Sequence, residues 1–255
     1  MLPSQHALFE IPPGVCYLDG TAYSALPLSV RAAGERGVLT KSQPWKYPDA
    51  RADALAESAR AATARLIGAT PDDIAILGSV SQGIATAARN LPLPFGQRIL
   101  RMQHEFPSQA LVWDRLASER GLALEIVPRP PDGDWTAAPL TAISRPGAPP
   151  IAVAALTPLH WSDAALVSLE RLMQVLREAG ATIVVDATQA LGVMPIDVAL
   201  LQPDFLAFPT YKWLLGPYSL GFLYAAPHRQ SGLPLDENNG NRSSGIPAPG
   251  ARRYD

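Results

Sequence analysis

The chain has few of the features that mark several other classes of protein. It contains a single cysteine, Cys16, among 255 residues, so it can form neither an internal disulfide nor a cysteine-based metal cluster. Its four histidines are scattered along the sequence, and we expect no metal site. Charged residues make up only 17% of the chain and the formal net charge is −2. No run of Lys or Arg is present to attract nucleic acid or an anionic membrane.

Long apolar segments are missing as well. No stretch approaches the roughly 20 apolar residues that span a bilayer. The first residues also lack the basic segment and apolar run of a secretory signal, so we expect a cytoplasmic protein without a membrane partner. Hydrophobic residues nevertheless make up 47% of the chain, which is typical of a globular protein with a substantial core.

Short apolar runs alternate with segments of helical spacing. The spacing predicts helices at 50–67, 84–90, 108–120 and 166–179, and strands at 74–77, 97–102, 122–127, 151–156, 182–185 and 205–208. This alternation predicts an α/β fold with a largely parallel sheet, whose ligands lie at the carboxyl ends of the strands. The last segment, 231–255, is rich in Gly, Pro, Asn, Arg and Ser, and we expect it to be irregular.

Two segments place reactive side chains just after predicted strands. Asp186 lies in Val-Asp-Ala-Thr-Gln-Ala-Leu-Gly, and Lys212 lies in Tyr-Lys-Trp-Leu-Leu-Gly-Pro. Taken alone, an aspartate at a strand end commonly caps a turn or a helix, and a lone lysine is commonly a solvated surface group. The two segments together are far more specific than either one.

These segments resemble the class V aminotransferase group of pyridoxal-phosphate (PLP) enzymes, which includes cysteine desulfurases, kynureninases and isopenicillin-N-epimerase-like proteins. The resemblance runs from about Tyr17 to the C-terminus. It implies the three-layer αβα large domain of these enzymes, with a mostly parallel central sheet. It also implies that Lys212 forms a Schiff base with PLP, that Asp186 pairs with the protonated pyridine nitrogen, and that Gln189 lies near the phenolic oxygen. The chemistry agrees, because a carboxylate beside the pyridinium deepens the electron sink and a lysine of lowered pKa can shuttle a proton.

Further segments match cofactor-binding positions of the same family. Ser79, Val80 and Ser81 lie between a strand and a helix, where the helix N-terminus favours a phosphate, although a simple Ser N-cap is the alternative. Phe106 resembles the aromatic residue that stacks on the pyridine ring, with an ordinary core residue as the alternative. Tyr211 precedes the lysine, where relatives carry a His or Tyr that contacts the phosphate.

The resemblance also suggests substrate contacts. Tyr23 belongs to an opening motif that helps to line the substrate site, and His160 and Trp161 follow the strand at 151–156. A packed structural Trp is the alternative at 161. Cysteine desulfurases carry His where this chain has Phe106, and Cys16 is its only thiol, so desulfuration is the least favoured reaction.

The sequence departs from the family pattern in two places. Family members usually continue into a small C-terminal domain, which in many of them supplies an arginine for the substrate carboxylate. We therefore expect a PLP-binding large domain at 1–230, including an N-terminal substrate-site segment at 1–48. The irregular segment 231–255 would lead toward the small domain, which is absent here. Ser219 stands where relatives commonly have Gly, and it would be strained if that position needs a positive φ.

The leading hypothesis is a PLP-dependent enzyme that acts on an amino acid by transamination, epimerisation or C–X cleavage. By analogy with the family, we expect a homodimer. The alternative is a truncated or catalytically impaired homologue that binds PLP or a partner chain without turnover, motivated by the early end at Asp255. A nicotinamide-dependent dehydrogenase also fits the α/β alternation, but no G-x-G-x-x-G follows the first strand.

Overall fold

The protein is an α/β structure built on one mixed sheet. A computed structural model describes residues 3–255. The strands of the main sheet are β1 Ile74–Leu77, β2 Arg98–Met102, β3 Ala123–Val127, β4 Ile151–Leu156, β5 Thr182–Asp186, β6 Phe205–Pro209 and β7 Gly221–Ala225. They lie in the order β1-β7-β6-β5-β4-β2-β3, and β2 to β6 pair in parallel while β7 runs antiparallel to both β1 and β6. The predicted mostly parallel α/β sheet is confirmed.

The helices connect these strands and cover the sheet. They are α1 Leu28–Lys41, α2 Asp49–Ile67, α3 Val80–Arg89, α4 Pro107–Arg120, α5 Ala137–Ile143, α6 Leu169–Glu178 and α7 Val198–Leu201. Helix α3 begins four residues before the predicted start at 84, because Ser79 caps it and accepts the N–H of Gln82 at 3.2 Å. In the described part of the chain, no helix combines the length and the apolar character that a membrane crossing requires.

Two hydrophobic cores lie on opposite faces of the sheet. Side chains alternate along each strand, so Ile183 and Val185 of β5 belong to one core and Val184 to the other. The first core includes Leu172 of α6, and the second includes Trp113 of α4. A parallel strand covered on both faces needs apolar residues at nearly every position, and the central strands β4 and β6 are continuous apolar runs. The predicted three-layer αβα arrangement is confirmed.

The last 25 residues pack back onto the edge of the sheet. Their regular structure is limited to the two-residue strands β8 and β9, Arg242–Ser243 and Ile246–Pro247, and a short 3-10 helix at Gly250–Tyr254. Tyr254 is 2% exposed and lies against Phe205, with ring centroids 6.3 Å apart. The Asp255 side chain pairs with Arg60 and accepts the Ile76 N–H at 2.9 Å. This segment therefore contributes to the second core without forming regular layers of its own.

Candidate active site

One pocket opens at the carboxyl ends of the parallel strands. It encloses about 140 Å³ within a cleft of about 650 Å³ that is open to solvent. Strand β1 runs in the same direction as β6, since β7 is antiparallel to both, so the loop after β1 reaches the same edge. The lining residues come from the loops after β1, β2, β4, β5 and β6: Ser79, Val80, Ser81, Glu105, Phe106, Ser108, Thr157, Trp161, Asp186, Thr188, Gln189, Tyr211 and Lys212.

A buried carboxylate lies at the base of this pocket. Asp186 is the last residue of β5 and is 6% exposed. Its Oδ1 accepts the backbone N–H of Thr188 at 2.9 Å. Burial raises the pKa of the Asp186 carboxyl, while hydrogen bonds from Thr188 and the charge of Lys212 oppose that rise. A cation bound beside Asp186 would act in the same direction as Lys212 and favour the ionised carboxylate.

Lys212 brings an amine into the same space. The residue is 7% exposed, and its Nζ lies 5.7 Å from the ring centroid of Phe106 and 6.0 Å from that of Tyr211. Burial lowers the pKa of the Lys212 amine, and the carboxylates of Asp186 and Asp19 oppose this effect. A lowered pKa raises the fraction of neutral amine, which is the nucleophilic form.

Close packing fixes the loop of Lys212 against the turn that follows Asp186. Gly192 has a φ of +107°, and a Cβ built there would lie 2.4 Å from the backbone oxygen of Trp213. The Trp213 indole N–H donates to Gln189 Oε1 at 2.9 Å. The Gln189 amide in turn donates to the backbone oxygen of Thr21 at 3.3 Å. The Gln189 side chain therefore has a defined amide orientation at the wall of the pocket.

The N-terminus of α3 forms another wall. Ser79, Val80 and Ser81 all line the pocket there. Ser79 also caps the helix through its Oγ, so the same residue is the N-cap of α3 and part of the pocket wall. A helix N-terminus carries partial positive charge and favours an anion such as phosphate.

Two aromatic side chains close the pocket from the side of β2 and β4. Phe106 and Trp161 meet edge to face, with ring centroids 5.4 Å apart. Phe106 is 45% exposed, so it is not the ordinary core residue that the sequence left as an alternative. Trp161 donates its indole N–H to the backbone oxygen of His104 at 2.6 Å.

Two of the predicted substrate residues do not line the pocket. His160 is fully buried and stacks on Trp135 with ring centroids 4.5 Å apart. Its Nε2 lies 3.0 Å from the backbone oxygen of Gln103, and its Nδ1 lies 2.9 Å from Ser162 Oγ. Both ring nitrogens of His160 therefore have protein partners in the core, and the substrate contact expected of this residue stays a prediction. Tyr23 is 56% exposed and lies outside the lining, packed edge to face on Tyr218.

Four lining residues were not singled out from the sequence: Glu105, Ser108, Thr157 and Thr188. Each of them comes shortly after a strand that ends at the pocket, and this position along the chain could have been recognised from the sequence. Glu105 is unusual because burial and the charge of Asp186 raise the pKa of its carboxyl to about 8. Its Oε1 has no hydrogen-bond partner within residues 3–255.

The described side chains fit PLP. A buried amine with a lowered pKa, a buried carboxyl, a helix N-terminus for a phosphate and an exposed aromatic ring all converge on one cleft. The fold and this site together define the large domain of a PLP-dependent transferase fold.

The chain belongs to the class V aminotransferase family, whose family model, described as aminotransferase class-V, matches residues 16–241. Members of this family use PLP, which confirms the expected cofactor class. The sequence is 34% identical over 227 residues to a probable cysteine desulfurase of Pyrococcus abyssi, covering 82% of this chain and 53% of that protein. It is 30% identical over 230 residues to the isopenicillin N epimerase of Streptomyces clavuligerus, covering 86% of this chain and 55% of that protein.

Solved structures show the same fold. The apo cysteine desulfurase of Thermococcus onnurineus superposes with a TM-score of 0.81 at 25% identity, covering 94% of this chain and 62% of that one. A mutant C-DES structure with glycine linked to its PLP cofactor superposes with a TM-score of 0.84 at 22% identity, covering 100% and 69%. The chain spans about half the length of the curated relatives it matches.

Proposed function

We propose that this chain forms the cofactor-binding part of a PLP-dependent enzyme that acts on an amino acid. The reaction is transamination, epimerisation or C–X cleavage. The observation that carries this proposal is the presence of the buried Lys212 amine and the buried Asp186 carboxyl in one pocket, next to a helix N-terminus. Relatives named as an epimerase and as a probable cysteine desulfurase support this range of reactions.

Lys212 and Asp186 have complementary roles in this proposal. PLP, when bound, supplies an electron sink for a bond to the α-carbon of the substrate. Lys212 would hold the cofactor through Nζ, and as a free amine it would carry the proton that is moved at the α-carbon. Its burial helps, because the resulting lower pKa favours the neutral amine that accepts this proton. Asp186 holds a proton on the pyridine nitrogen by charge pairing.

The remaining lining residues orient the cofactor. Ser79, Val80 and Ser81 receive the phosphate at the N-terminus of α3, with Tyr211 beside it. Phe106 would hold the pyridine ring against its own exposed ring, which would bury apolar area that is now in contact with water.

Gln189 approaches the phenolic oxygen of the cofactor. The indole N–H of Trp213 occupies the amide oxygen of Gln189 and one amide N–H donates to Thr21, so the second amide N–H is the group that remains available for donation. We assign the substrate side of the cleft to Trp161 at the wall and Tyr23 at the rim.

The assembly and location of the protein form part of the same proposal. We propose a cytoplasmic homodimer. Apolar residues near the N-terminus are open to solvent, with Val38, Leu39 and Trp45 exposed by 74%, 69% and 77%. Large apolar side chains this exposed and close together in sequence favour a surface that another chain covers. Sedimentation equilibrium should give twice the monomer mass, and a monomer at high concentration would contradict the dimer.

The small number of lysines allows the site of PLP attachment to be identified directly. The chain contains only Lys41, Lys46 and Lys212, and of these only Lys212 lines the pocket. Wild-type protein mixed with PLP should show a visible absorption band, and borohydride reduction should attach the cofactor to the peptide that contains Lys212. Lys212→Ala should lose both the band and the label, whereas the matched surface variant Lys46→Ala should keep them.

The outcomes separate the possibilities. A label on Lys41 or Lys46 alone, or no band in the wild type, would contradict the proposal. If amino acids shift the band but no product forms, the alternative of a PLP-binding homologue without turnover gains support instead.

A further inference from the structure

The loop between β2 and α4 carries a buried acid to which the proposed reaction assigns no role. Glu105 is 8% exposed and forms part of the pocket wall. Its Oε1 is buried without a hydrogen-bond partner in the described part of the chain. A buried carboxyl oxygen that lacks a partner is unfavourable, and it indicates a group that becomes paired when the pocket is filled.

The backbone holds Glu105 in this place. The preceding residue, His104, has a φ of +58°, which is uncommon for a residue other than Gly. Its carbonyl oxygen accepts the indole N–H of Trp161 at 2.6 Å, and Pro107 begins α4 two residues after Glu105. The strained turn and the helix start together fix the direction in which the Glu105 side chain leaves the backbone.

The charged groups around Glu105 do not offset the effect of burial on the pKa of its carboxyl group. Asp186 on β5 raises the pKa of the Glu105 carboxyl after the larger effect of burial, and Lys212 lines the same pocket. Arg101 on β2 acts in the opposite direction, but its guanidinium is already paired with Asp114 on α4 at 2.7 and 2.9 Å. The Phe106 backbone N–H also opposes the rise. The net result is a pKa of about 8, so Glu105 is mainly a neutral acid at pH 7.

We propose that Glu105 is a positioning residue that sets how strongly Asp186 acts on the pyridine nitrogen of the bound cofactor. This inference rests on the proposed function. While Glu105 is neutral, Asp186 is the one of these two carboxyl groups that supplies the negative charge facing the pyridine nitrogen. When Glu105 ionises, a second negative charge stabilises every cation in the pocket, including the pyridinium and the protonated nitrogen at Lys212.

The pH dependence of the PLP absorption band tests this role without relying on turnover. A pyridinium and a protonated nitrogen at Lys212 would each favour the ionised form of Glu105, which brings its ionisation into the range of the titration. We expect the midpoint of the wild-type band titration to lie higher than that of Glu105→Gln, by about one pH unit. Glu105→Asp retains a carboxyl group and should recover most of this difference.

A matched control comes from the same neighbourhood. Glu119 lies on α4 with its side chain 59% exposed, and Glu119→Gln should titrate like the wild type. If Glu105→Gln binds PLP more weakly but its titration superposes on that of the wild type, Glu105 has only a structural role and the inference is wrong. If the wild type gives no band at any pH, the proposed function itself fails, and the inference fails with it.

Discussion

The state of Glu105 should be measurable in the protein without cofactor, through the pH dependence of its free energy of unfolding. The pKa of the Glu105 carboxyl rises from 4.5 to about 8 in the folded protein, so the folded state retains a proton that the unfolded state releases. The contribution of Glu105 is therefore most favourable below pH 4.5 and is lost as the pH rises toward 8. Glu105→Gln cannot ionise, so it should become progressively more stable than the wild type across this range.

The size of this effect follows from the pKa change. One pH unit corresponds to 1.36 kcal/mol, so a rise from 4.5 to about 8 corresponds to about 5 kcal/mol at most. Solvent that enters the open cleft weakens burial, so we expect the free energy of unfolding of Glu105→Gln to gain about 2 to 4 kcal/mol on the wild type between pH 5 and pH 8.

Urea denaturation followed by circular dichroism at several pH values measures the difference between the two proteins directly. Taking the difference cancels the titration of the shared groups that lie away from the pocket, whereas Asp186 is coupled to Glu105 and contributes to the difference. Glu119→Gln provides the control, because it removes a carboxyl group from an exposed position of the adjacent helix. A difference between Glu105→Gln and the wild type that stays constant with pH would refute the reasoning, since it would mean that Glu105 titrates alike in both states.

Two backbone substitutions test other parts of the site. Ser219 has a φ of +58°, as the family comparison suggested, so Ser219→Gly should raise the free energy of unfolding by about 1 kcal/mol, while Ser231→Gly, without a positive φ, should lower it slightly. Urea midpoints decide this, and equal losses in both variants would contradict it. Gly192→Ala should cost about 3 kcal/mol or more and abolish the PLP band, because its Cβ meets the backbone oxygen of Trp213 at 2.4 Å. The control Gly14→Ala shares a positive φ but has open space around it, and it should cost only about 1 kcal/mol and keep the band; similar losses would show that the close packing is unimportant.

The sequence predicted the central parallel strands well, because β4 and β6 are buried along their whole length and apolar throughout. It did not reveal α1, since none of the residues of that helix is buried and no apolar stripe marks it. It also missed β7, which is a short apolar run. Its place between β1 and β6 depends on sheet pairing, which a local pattern does not specify.

The same limit applies within the site. Asp186 ends β5 and Lys212 lies three residues after β6, so the sequence already indicated that both belong at the edge of the sheet where the pocket opens. His160 and Trp161 are neighbours in sequence, and only the fold determines that Trp161 lines the pocket while His160 packs in the core. Glu105 was missed because its significance depends on burial and on the nearness of Asp186, neither of which is local to its segment.

The scarcity of lysine gives the protein a practical property. Lys41 and Lys46 are exposed and five positions apart, whereas the only other lysine, Lys212, is 7% exposed. Reagents that acylate side-chain amines should thus modify the molecule within one short stretch near α1. A fluorophore or a sensor surface coupled to lysine would be attached in this region, with the cleft free to receive small molecules.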